Sequence, residues 1–305
     1  LAAVDILRFD AATQGWEIFE VKASNKVDAK VHFYDLAFQV ILLRQCGLNV
    51  TGINLIHLNK EYVRGTSLNI EKLFTIANVS AEIEAIIPEV ELEMAVALNY
   101  LNQATEPFGP CTCVYKGRSN HCTTFAHNNP QVPEYSVHDL NAIGKGKTKL
   151  PELIDQSIFN VHEVPTEFKL TTTQRNQVNA QILDKILIEK DQIFKKLGEL
   201  EYPLYFLDYE TFSAAVPLFA GYKPYQQIPF QYSLQVVGGP GAEVKEYYFL
   251  HTESGDPMPE LAKSLASHIG PKGNVVVWYQ TFEMGRNQEM GEQLPEYAAF
   301  FESLN

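Results

Sequence analysis

The chain lacks the apolar segments that mark membrane and secreted proteins. No uninterrupted apolar run approaches the roughly 20 residues that a helix needs to cross a bilayer, and the first residues show no charged-then-apolar signal pattern. We therefore expect a soluble, cytoplasmic protein that does not bind membranes. The chain also lacks an initiator methionine and opens inside a strand-like segment, so we expect it to be a fragment of a longer protein.

Positive charge is scarce. The 24 Lys and Arg residues are outnumbered by 37 Asp and Glu residues, which gives a formal net charge of -13. This balance argues against a protein that coats duplex DNA by bulk electrostatics, because such binding scales with the phosphates that Lys and Arg neutralise. It allows an enzyme with acidic metal sites and local basic patches, each of which contacts phosphate or lies in a solvated loop. The patches are Lys22, Lys26 and Lys30; Lys116 and Arg118; and Lys145, Lys147 and Lys149.

Cysteine is also scarce, and three of the four cysteines lie close together in the sequence. Cys111, Cys113 and Cys122 fall within twelve positions of a loop that carries Gly and Pro. In a cytosolic chain this grouping indicates metal binding rather than disulfides. His121 and His127 make zinc one candidate, because zinc accepts mixed Cys and His ligands.

Two strand-like runs open the chain and carry charged residues. Residues 3–9 hold Asp5, and residues 16–22 hold Glu20 and Lys22, so the pair is predicted to form a β-hairpin. Glu20 and Lys22 share one face of the second strand because side chains alternate along a strand. Asp5, Glu20 and Lys22 can therefore converge.

A helix and a further strand follow this hairpin. The pattern predicts a helix over residues 29–46, ended by Gly47, with Gln39 on an otherwise apolar surface, and a strand over residues 50–58. This order, with Asp on the first strand, Glu-x-Lys on the second and Gln on the helix, resembles the core of the PD-(D/E)XK nucleases, particularly their RecB-like branch.

This resemblance implies roles for four residues. Asp5 and Glu20 would hold a divalent metal, Lys22 would help to activate water or steady the scissile phosphate, and Gln39 would lie close by. The chemistry is reasonable, because a phosphodiester needs its developing charge neutralised and a water made nucleophilic. The family's acidic residue on an earlier helix would precede the first residue of this chain, and the aromatic residue that often follows the glutamine by a turn is absent.

RecB-like nucleases also often carry a cysteine cluster after the catalytic core, which binds a 4Fe–4S cluster together with one cysteine from before the core. By this resemblance Cys111, Cys113 and Cys122 are three ligands, and the fourth lies upstream of this chain or is Cys46. The alternative for Cys46, at the end of an apolar helix, is a buried free thiol. The spacing departs from Cys-x-x-Cys, which leaves iron–sulfur and zinc both open.

The middle of the chain is predicted to be helical and to have little chemistry. Residues 68–103 are mostly helical in pattern, broken near Pro88, with a solvated acidic face. Residues 135–165 form a small helical or irregular lobe, with His138 at a helix start. Residues 173–199 form an amphipathic helical connector between domains.

A second acidic pair, Asp208 and Glu210, ends an apolar strand-like run. Side chains alternate across a strand, so both acids share one face while Leu207 and Tyr209 point the other way. Two acids on one rigid face suit the binding of hard divalent cations by oxygen ligands. The alternative is a solvated strand end.

The elements after this pair have an order similar to that of the ribonuclease-H-like fold. FLDYETF resembles the first motif of DnaQ-like (DEDD) exonucleases, whose Asp and Glu bind two metals. WYQTFEMGR is similar to the second motif, with Glu283 in place of the usual Asp, and the third motif would lie beyond Asn305. The predicted elements are strands at 204–209, 230–237 and 243–250, a helix at 259–268, a strand at 275–279 and a helix from about 283.

The longer strings PLYFLDYETF and PYQQIPFQYS, following the cysteine cluster, resemble the bacterial domain-of-unknown-function family 2779. Its members join a RecB-like nuclease region to a ribonuclease-H-like region, and the resemblance covers nearly the whole chain. It implies an α/β fold with mixed sheets. A PD-(D/E)XK restriction-endonuclease-like domain would occupy residues 1–135 without its N-terminus, a helical connector 136–200, and a C-terminally incomplete ribonuclease-H-like domain 201–305.

Aromatic residues flank the second acidic motif. Tyr222 and Tyr225, in the loop, either stack on unpaired bases or pack within the protein. Phe230 and Tyr232 are expected to pack.

The first functional hypothesis is a metal-dependent nuclease that uses Mg²⁺ or Mn²⁺. It would act on single strands or ends, with DNA favoured over RNA, in nucleic-acid processing or repair. The alternative is a nucleic-acid-binding scaffold protein in which one or both sites have decayed. A metal-cluster redox protein is least favoured, because the cysteines accompany nuclease-like elements. Protein partners are not predicted. The candidate site residues are Asp5, Glu20, Lys22 and Gln39 for one site and Asp208, Glu210 and Glu283 for the other.

Overall fold

The fold is mixed α/β in a computed structural model that describes residues 1–105, 109, 111–146 and 148–305. These residues contain two four-stranded sheets, each with parallel and antiparallel neighbours. Leu1–Asn99 and Lys196–Asn305 form one compact unit, here called the split unit, which holds both sheets. Tyr100–Lys195 form a second compact unit, here called the inserted unit. The division into three domains stays a prediction.

The first sheet is built from the N-terminal part of the split unit. Its elements are β1 (Ile6–Asp10), β2 (Gly15–Lys22), α1 (Ala29–Gln45), β3 (Val50–Leu58), α2 (Ile70–Leu73), β4 (Phe74–Asn78) and α3 (Ser80–Leu101). The strand order is β1-β2-β3-β4. β1 and β2 form the predicted antiparallel hairpin, β2 and β3 are parallel with α1 between them in the chain, and β4 pairs antiparallel to β3.

Two helices cover one face of this sheet. Residues of α1 at helical spacing, such as Leu36 and Val40, share a buried cluster with Ile18 of β2 and Ile53 of β3. Ile83 on α3 joins the same cluster. Each such side chain contributes about 1.5–3 kcal/mol when fully buried, so this apolar cluster holds β2 and its charged end against α1.

Two predictions for the segment after β3 are wrong. Residues 74–78 form an edge strand rather than helix, and Pro88 lies inside α3 without breaking it. An internal proline costs a helix about 3 kcal/mol or more, through one lost hydrogen bond and one steric clash. Burial of Ile83, Ile87 and Val90 on the sheet offsets that cost.

The inserted unit has its own apolar core, formed by short helices and loops. Its α-helices are α4 (Phe125–Asn128), α5 (Lys149–Asp155) and α6 (Thr172–Leu183). Its 3₁₀ helices are Thr112–Tyr115, Arg118–Asn120, Val137–Asp139, Ile143–Lys145 and Val161–Glu163. The predicted connector helix is interrupted, because α6 ends at Leu183 and a separate helix, α7 (Lys190–Gly198), follows.

The second sheet is built from the C-terminal part of the split unit. Its elements are β5 (Leu204–Phe212), β6 (Ile228–Val237), β7 (Val244–Leu250), α8 (Met258–Ala266), β8 (Asn274–Val276), α9 (Gln280–Gln293), a 3₁₀ turn (Pro295–Tyr297) and α10 (Ala298–Ser303). The strand order is β7-β6-β5-β8. β5, β6 and β7 are antiparallel neighbours, and β8 pairs parallel to β5.

One face of this second sheet is buried. Leu207 and Tyr209 of β5 share a core with residues of α8, α9 and α10, such as Leu261, Met290 and Phe301. β8 starts beside the beginning of β5. The residue before β8, Gly273, has a φ of +99° and no room for a Cβ against the backbone of Pro203. Among the described residues, no helix is long and apolar enough to cross a membrane.

Candidate functional site

Asp208 and Glu210 lie on the exposed face of β5, the strand between β6 and β8. Leu207 and Tyr209 are buried on the opposite face, as the alternation predicts. The buried phenol of Tyr209 donates a hydrogen bond of 2.9 Å to Oδ1 of Asn287 on α9. This bond joins the acidic strand to the helix that carries Glu283.

Glu283 lies in the first turn of α9 and is only 4% exposed. Burial, followed by the negative charge of Asp208, raises the pKa of Glu283 to about 7. Glu210 raises this pKa further, whereas Arg286 and the backbone amide of Tyr209 lower it. The electrostatic coupling shows that the three predicted acids share one neighbourhood.

The carboxylates of this neighbourhood have unused ligand capacity. Oε2 of Glu283 is buried without a hydrogen-bond partner, and the residue lines a cavity of about 260 Å³ with Gln280 and Asn287. The oxygens of Asp208, Glu210 and Glu283 do not all lie within 4.8 Å of one another. In the described part of the chain, only the sulfur atoms of Cys111, Cys113 and Cys122 form a set of potential metal ligands that close together. Carboxylate oxygens are the ligands that hard divalent cations prefer, and a cation would relieve the mutual repulsion of these acids.

The first predicted site centres on Lys22 at the end of β2. Its Nζ donates to Oε1 of Glu20 at 2.7 Å and to a carboxylate oxygen of Asp35. The buried amide of Gln39 donates to Oε2 of Glu20 at 3.0 Å and to Oδ1 of Asp35 at 3.3 Å. The structure therefore brings together three predicted residues, Glu20, Lys22 and Gln39, and adds Asp35.

Asp35 was missed by the sequence analysis. It lies one helical turn before Gln39 on α1, and this i,i+4 spacing is the signal that could have revealed it. Burial raises the pKa of Asp35, but hydrogen bonds from Lys22 and Gln39 outweigh that effect and lower it. Burial likewise acts to lower the pKa of Lys22, but its bonds to Asp35 and Glu20 raise it overall. These bonds favour the charged form of Lys22.

Asp5 lies just before β1 rather than within the predicted strand, and its side chain is exposed. Its Oδ2 accepts a hydrogen bond of 2.8 Å from the backbone amide of Val21. β1 and β2 are antiparallel, and Ile6 pairs with Phe19. Asp5, one residue before Ile6, is therefore level with Glu20, one residue after Phe19. Asp5 is therefore beside the first site, and its carboxylate is bonded to the backbone of β2.

The loop after β5 packs against the N-terminal part of the split unit, which forms the first sheet. Ala215 and Tyr225 contact the apolar cluster of Leu58, Tyr62 and Leu73. Complete burial of Tyr222 excludes the base-stacking role considered for it, whereas Tyr225 is half-buried. The phenol of Tyr225 donates to the carbonyl oxygen of Ala23, and Tyr222 is fully buried with its hydroxyl bonded to Asp256.

The three clustered cysteines come together in the inserted unit. The Sγ atoms of Cys111, Cys113 and Cys122 all lie within 4.8 Å of one another, so they can hold a metal ion. A hydrogen bond from Thr124 is the main cause that lowers the pKa of Cys122 to about 7, which favours the thiolate that binds metals.

The other proposed ligands of this centre have different environments. His121 contacts the carbonyl oxygen of Lys116 through Nε2 at 2.9 Å and stacks on Phe125. His127 is exposed. Cys46 is the C-terminal cap of α1 and is exposed, so the buried thiol expected there is wrong.

The basic patches have mixed roles. Lys22 is paired with carboxylates, as described above, and Arg118 forms a bidentate bond with Asp139, with both N–O distances 2.6 Å. Each of these two side chains is therefore held in place by neighbouring carboxylates. Lys147 lies outside the described residues. The patch residues with exposed side chains are Lys26, Lys30, Lys116 and Lys145, whereas Lys149 is half-buried.

Comparison with protein families gives one match. A model described as Domain of unknown function (DUF2779) matches residues 205–305. This region contains β5–β8 and α8–α10, with Asp208, Glu210 and Glu283, and the match supports the family for that part of the chain. No curated protein and no solved structure matches the chain. Because the family description names no activity, the function has to be argued from the site.

Proposed function

We propose that the protein is a metal-dependent nuclease that hydrolyses phosphodiesters in nucleic acid. The observation that carries this proposal is the buried carboxylate of Glu283, whose Oε2 has no hydrogen-bond partner, near the exposed pair Asp208 and Glu210. Acids gathered in this way destabilise one another unless a cation joins them. This arrangement is typical of a cation site and is unfavourable for a solvated strand end.

The topology of each sheet supports the fold assignments in this proposal. The order β7-β6-β5-β8, with only β8 parallel to its neighbour, suits a ribonuclease-H-like region with Asp208 on its first strand. The hairpin, α1 and parallel β3 suit a PD-(D/E)XK-like region, with Glu20 and Lys22 on its second strand. Glu20 and Asp208 lie on the strands that the resemblance implies, whereas Asp5 lies just before its strand.

Named residues would have distinct tasks in this nuclease. Asp208, Glu210 and Glu283 would hold Mg²⁺ or Mn²⁺ in the second site. Bound ions of this kind neutralise the negative charge that develops on the phosphodiester. The partnerless oxygen of Glu283 fits such a ligand.

In the first site, Glu20 and Asp5 would hold the divalent ion. Gln39 orients Glu20 through the hydrogen bond between them. Lys22 provides a fixed positive charge for a phosphate. Its Nζ now contacts both Glu20 and Asp35, so an incoming cation would share those oxygens with the ammonium group.

The inserted unit would contribute a structural metal centre rather than the reaction. Cys111, Cys113 and Cys122 suit a 4Fe–4S cluster or Zn²⁺, each of which accepts thiolates and needs a fourth ligand. We infer DNA as the favoured substrate, single strands or ends as the favoured form, and the cytoplasm as the place of action.

The test is degradation of labelled single-stranded oligonucleotides by the chain with Mg²⁺ or Mn²⁺. We expect Asp208→Ala or Glu20→Ala to reduce cleavage by at least about 100-fold, a loss of about 2.7 kcal/mol in transition-state stabilisation. Glu243→Ala changes an exposed acid in the β6–β7 turn and is the matched control. The absence of cleavage with either metal would refute the proposal.

A second candidate function is nucleic-acid binding by a scaffold with decayed sites. The ion pairs that hold Lys22 between Glu20 and Asp35 favour it for the first site, as does Glu in place of Asp at position 283. This function predicts salt-sensitive binding without cleavage, unchanged by Asp208→Ala.

A further inference from the structure

Trp278 is the most exposed tryptophan that the chain has, with 99% of its surface accessible. The chain contains only two tryptophans, and the other, Trp16, is half-buried against Phe9. Tyr279, the next residue, is 65% exposed. Large aromatic side chains contribute most when buried, so an exposed adjacent pair indicates a binding surface.

The sheet register locates this pair beside the second acidic site. β8 is parallel to β5, and Val276 pairs with Phe206. Two residues further along each chain lie Trp278, in the bend after β8, and Asp208, which is still within β5. Neighbouring strands are about 4.8 Å apart where they pair, so the segment that carries Trp278 leaves β8 next to the part of β5 that comes just before Asp208.

The helix that carries Glu283 is attached to the same aromatic pair. Tyr279 is the N-cap residue of α9, and its carbonyl oxygen accepts hydrogen bonds from the amides of Phe282, at 2.9 Å, and Glu283, at 3.2 Å. Trp278 and Tyr279 therefore connect β8, the neighbour of the strand that carries Asp208, to the helix that carries Glu283.

A third aromatic side chain belongs to the same surface. Phe206 is 39% exposed. It shares the face of β5 that presents Asp208 and Glu210, because these three residues occupy every second position of the strand. The acidic pair on β5 thus has an exposed aromatic side chain beside it, and the three carboxylates of the second site outnumber the neighbouring Arg286.

We propose that Trp278 is a stacking platform for an unpaired nucleobase of a strand whose phosphate lies at Asp208, Glu210 and Glu283. This proposal rests on the proposed nuclease function and specifies its substrate as single-stranded nucleic acid. Aromatic faces bind unpaired bases irrespective of sequence, whereas in a duplex both faces of each internal base are covered by its neighbours. An apolar protein partner fits less well, because it would bury the neighbouring carboxylates without a compensating charge.

The test uses the fluorescence of Trp278. A Trp16→Phe variant leaves Trp278 as the sole tryptophan, and it is titrated with a single-stranded oligonucleotide in Ca²⁺, a hard cation that also takes oxygen ligands. We expect the emission to be quenched on binding and expect a duplex of the same sequence with blunt ends to quench it less. Unchanged emission with the single strand, or equal quenching by the duplex, would overturn the proposal.

Variants separate stacking from other roles of this residue. Trp278→Ala should weaken binding about 5- to 150-fold, and Trp278→Phe should retain most of the affinity. Phe194→Ala removes an exposed aromatic residue of α7 and should leave binding unchanged. Because Trp278 is fully exposed, its replacement should leave the thermal midpoint unchanged. Equal affinity of Trp278→Ala and the parent chain would contradict the platform.

Cleavage assays on the same proteins distinguish this inference from the nuclease proposal. Quenching of Trp278 by single strands, without cleavage in Mg²⁺ or Mn²⁺, would support the platform and refute the nuclease. Cleavage that depends on Asp208 but is unaffected by Trp278→Ala, together with unchanged affinity, would support the nuclease and refute the platform.

Discussion

The phenol of Tyr225 donates a hydrogen bond of 2.9 Å to the carbonyl oxygen of Ala23. Ala23 immediately follows Lys22, and Tyr225 lies in the loop between β5 and β6, which follows Asp208 and Glu210. Arg64 also bonds this loop, through Nη1 to the carbonyl oxygen of Pro217 at 2.6 Å. The segments that carry the two candidate sites are therefore joined by directed contacts.

Loss of the Tyr225 hydroxyl should weaken this junction. We expect Tyr225→Phe to lower the free energy of unfolding by about 0.5–1.5 kcal/mol, because one intramolecular hydrogen bond is lost and the ring is kept. Urea denaturation measures the change. Tyr248→Phe, which removes an exposed hydroxyl bonded to Glu246, is the control and should have little effect. A midpoint for Tyr225→Phe that equals that of the parent would show that the bond does not stabilise the junction.

Neutralising Glu283 should stabilise the metal-free chain. At pH 8, above its pKa of about 7, Glu283 is a buried carboxylate near Asp208, so Glu283→Gln should raise the free energy of unfolding by about 1–3 kcal/mol in EDTA. Mg²⁺ should stabilise the parent by mass action and the variant much less. Thermal melts with and without Mg²⁺ measure both effects. The same Mg²⁺ response in the two proteins would argue against Glu283 as a ligand.

The ion pair between Asp139 and Arg118 should make the inserted unit sensitive to acid. Burial raises the pKa of Asp139, but the hydrogen bonds from Arg118 and from the backbone of Ser136 lower it below the usual 3.8. A depressed carboxyl pKa gives stability that is present above the unfolded-state pKa and is lost as the pH falls through the folded-state value. We therefore expect Asp139→Asn to cost about 2 kcal/mol at pH 6.

This cost should shrink as the pH falls below about 3.8, because the parent then loses the same charge. Denaturation of both proteins between pH 6 and pH 2.5 measures the difference. Asp155→Asn, which alters the acid bonded to Tyr115 in the same unit, is the control for a general effect of lost charge. A cost for Asp139→Asn that is independent of pH would contradict the ion-pair explanation.

The cysteine cluster should retain a metal when the chain is purified without chelator. We expect elemental analysis to find zinc or iron in the parent chain and a loss of most of it in Cys111→Ser, because a three-thiolate set loses a ligand. Cys46→Ser, at the end of α1, should keep the metal unless Cys46 is the fourth ligand. Absence of both metals from anaerobically purified protein, with all thiols free to react, would refute the metal centre.

Local pattern determined much of what the sequence predicted correctly. The sequence pattern predicted a strand at 50–58, the bounds that β3 has. Side-chain alternation placed Asp208 and Glu210 on one face, because side-chain direction in a strand depends only on position along the chain. A helix was predicted to begin at about residue 283, and the structure has Glu283 in the first turn of α9. These features need no knowledge of distant contacts.

Tertiary structure decided the features that depend on residues far apart in the chain. The edge strand β4 exists because it pairs with β3, and Pro88 remains helical because neighbouring side chains are buried on the sheet. Asp35 joins Glu20 and Lys22 only because α1 packs on the first sheet, and Trp278 reaches the level of Asp208 only because β8 pairs with β5. Periodicity within a segment cannot specify such partners, since their contacts depend on how separate elements pack against one another.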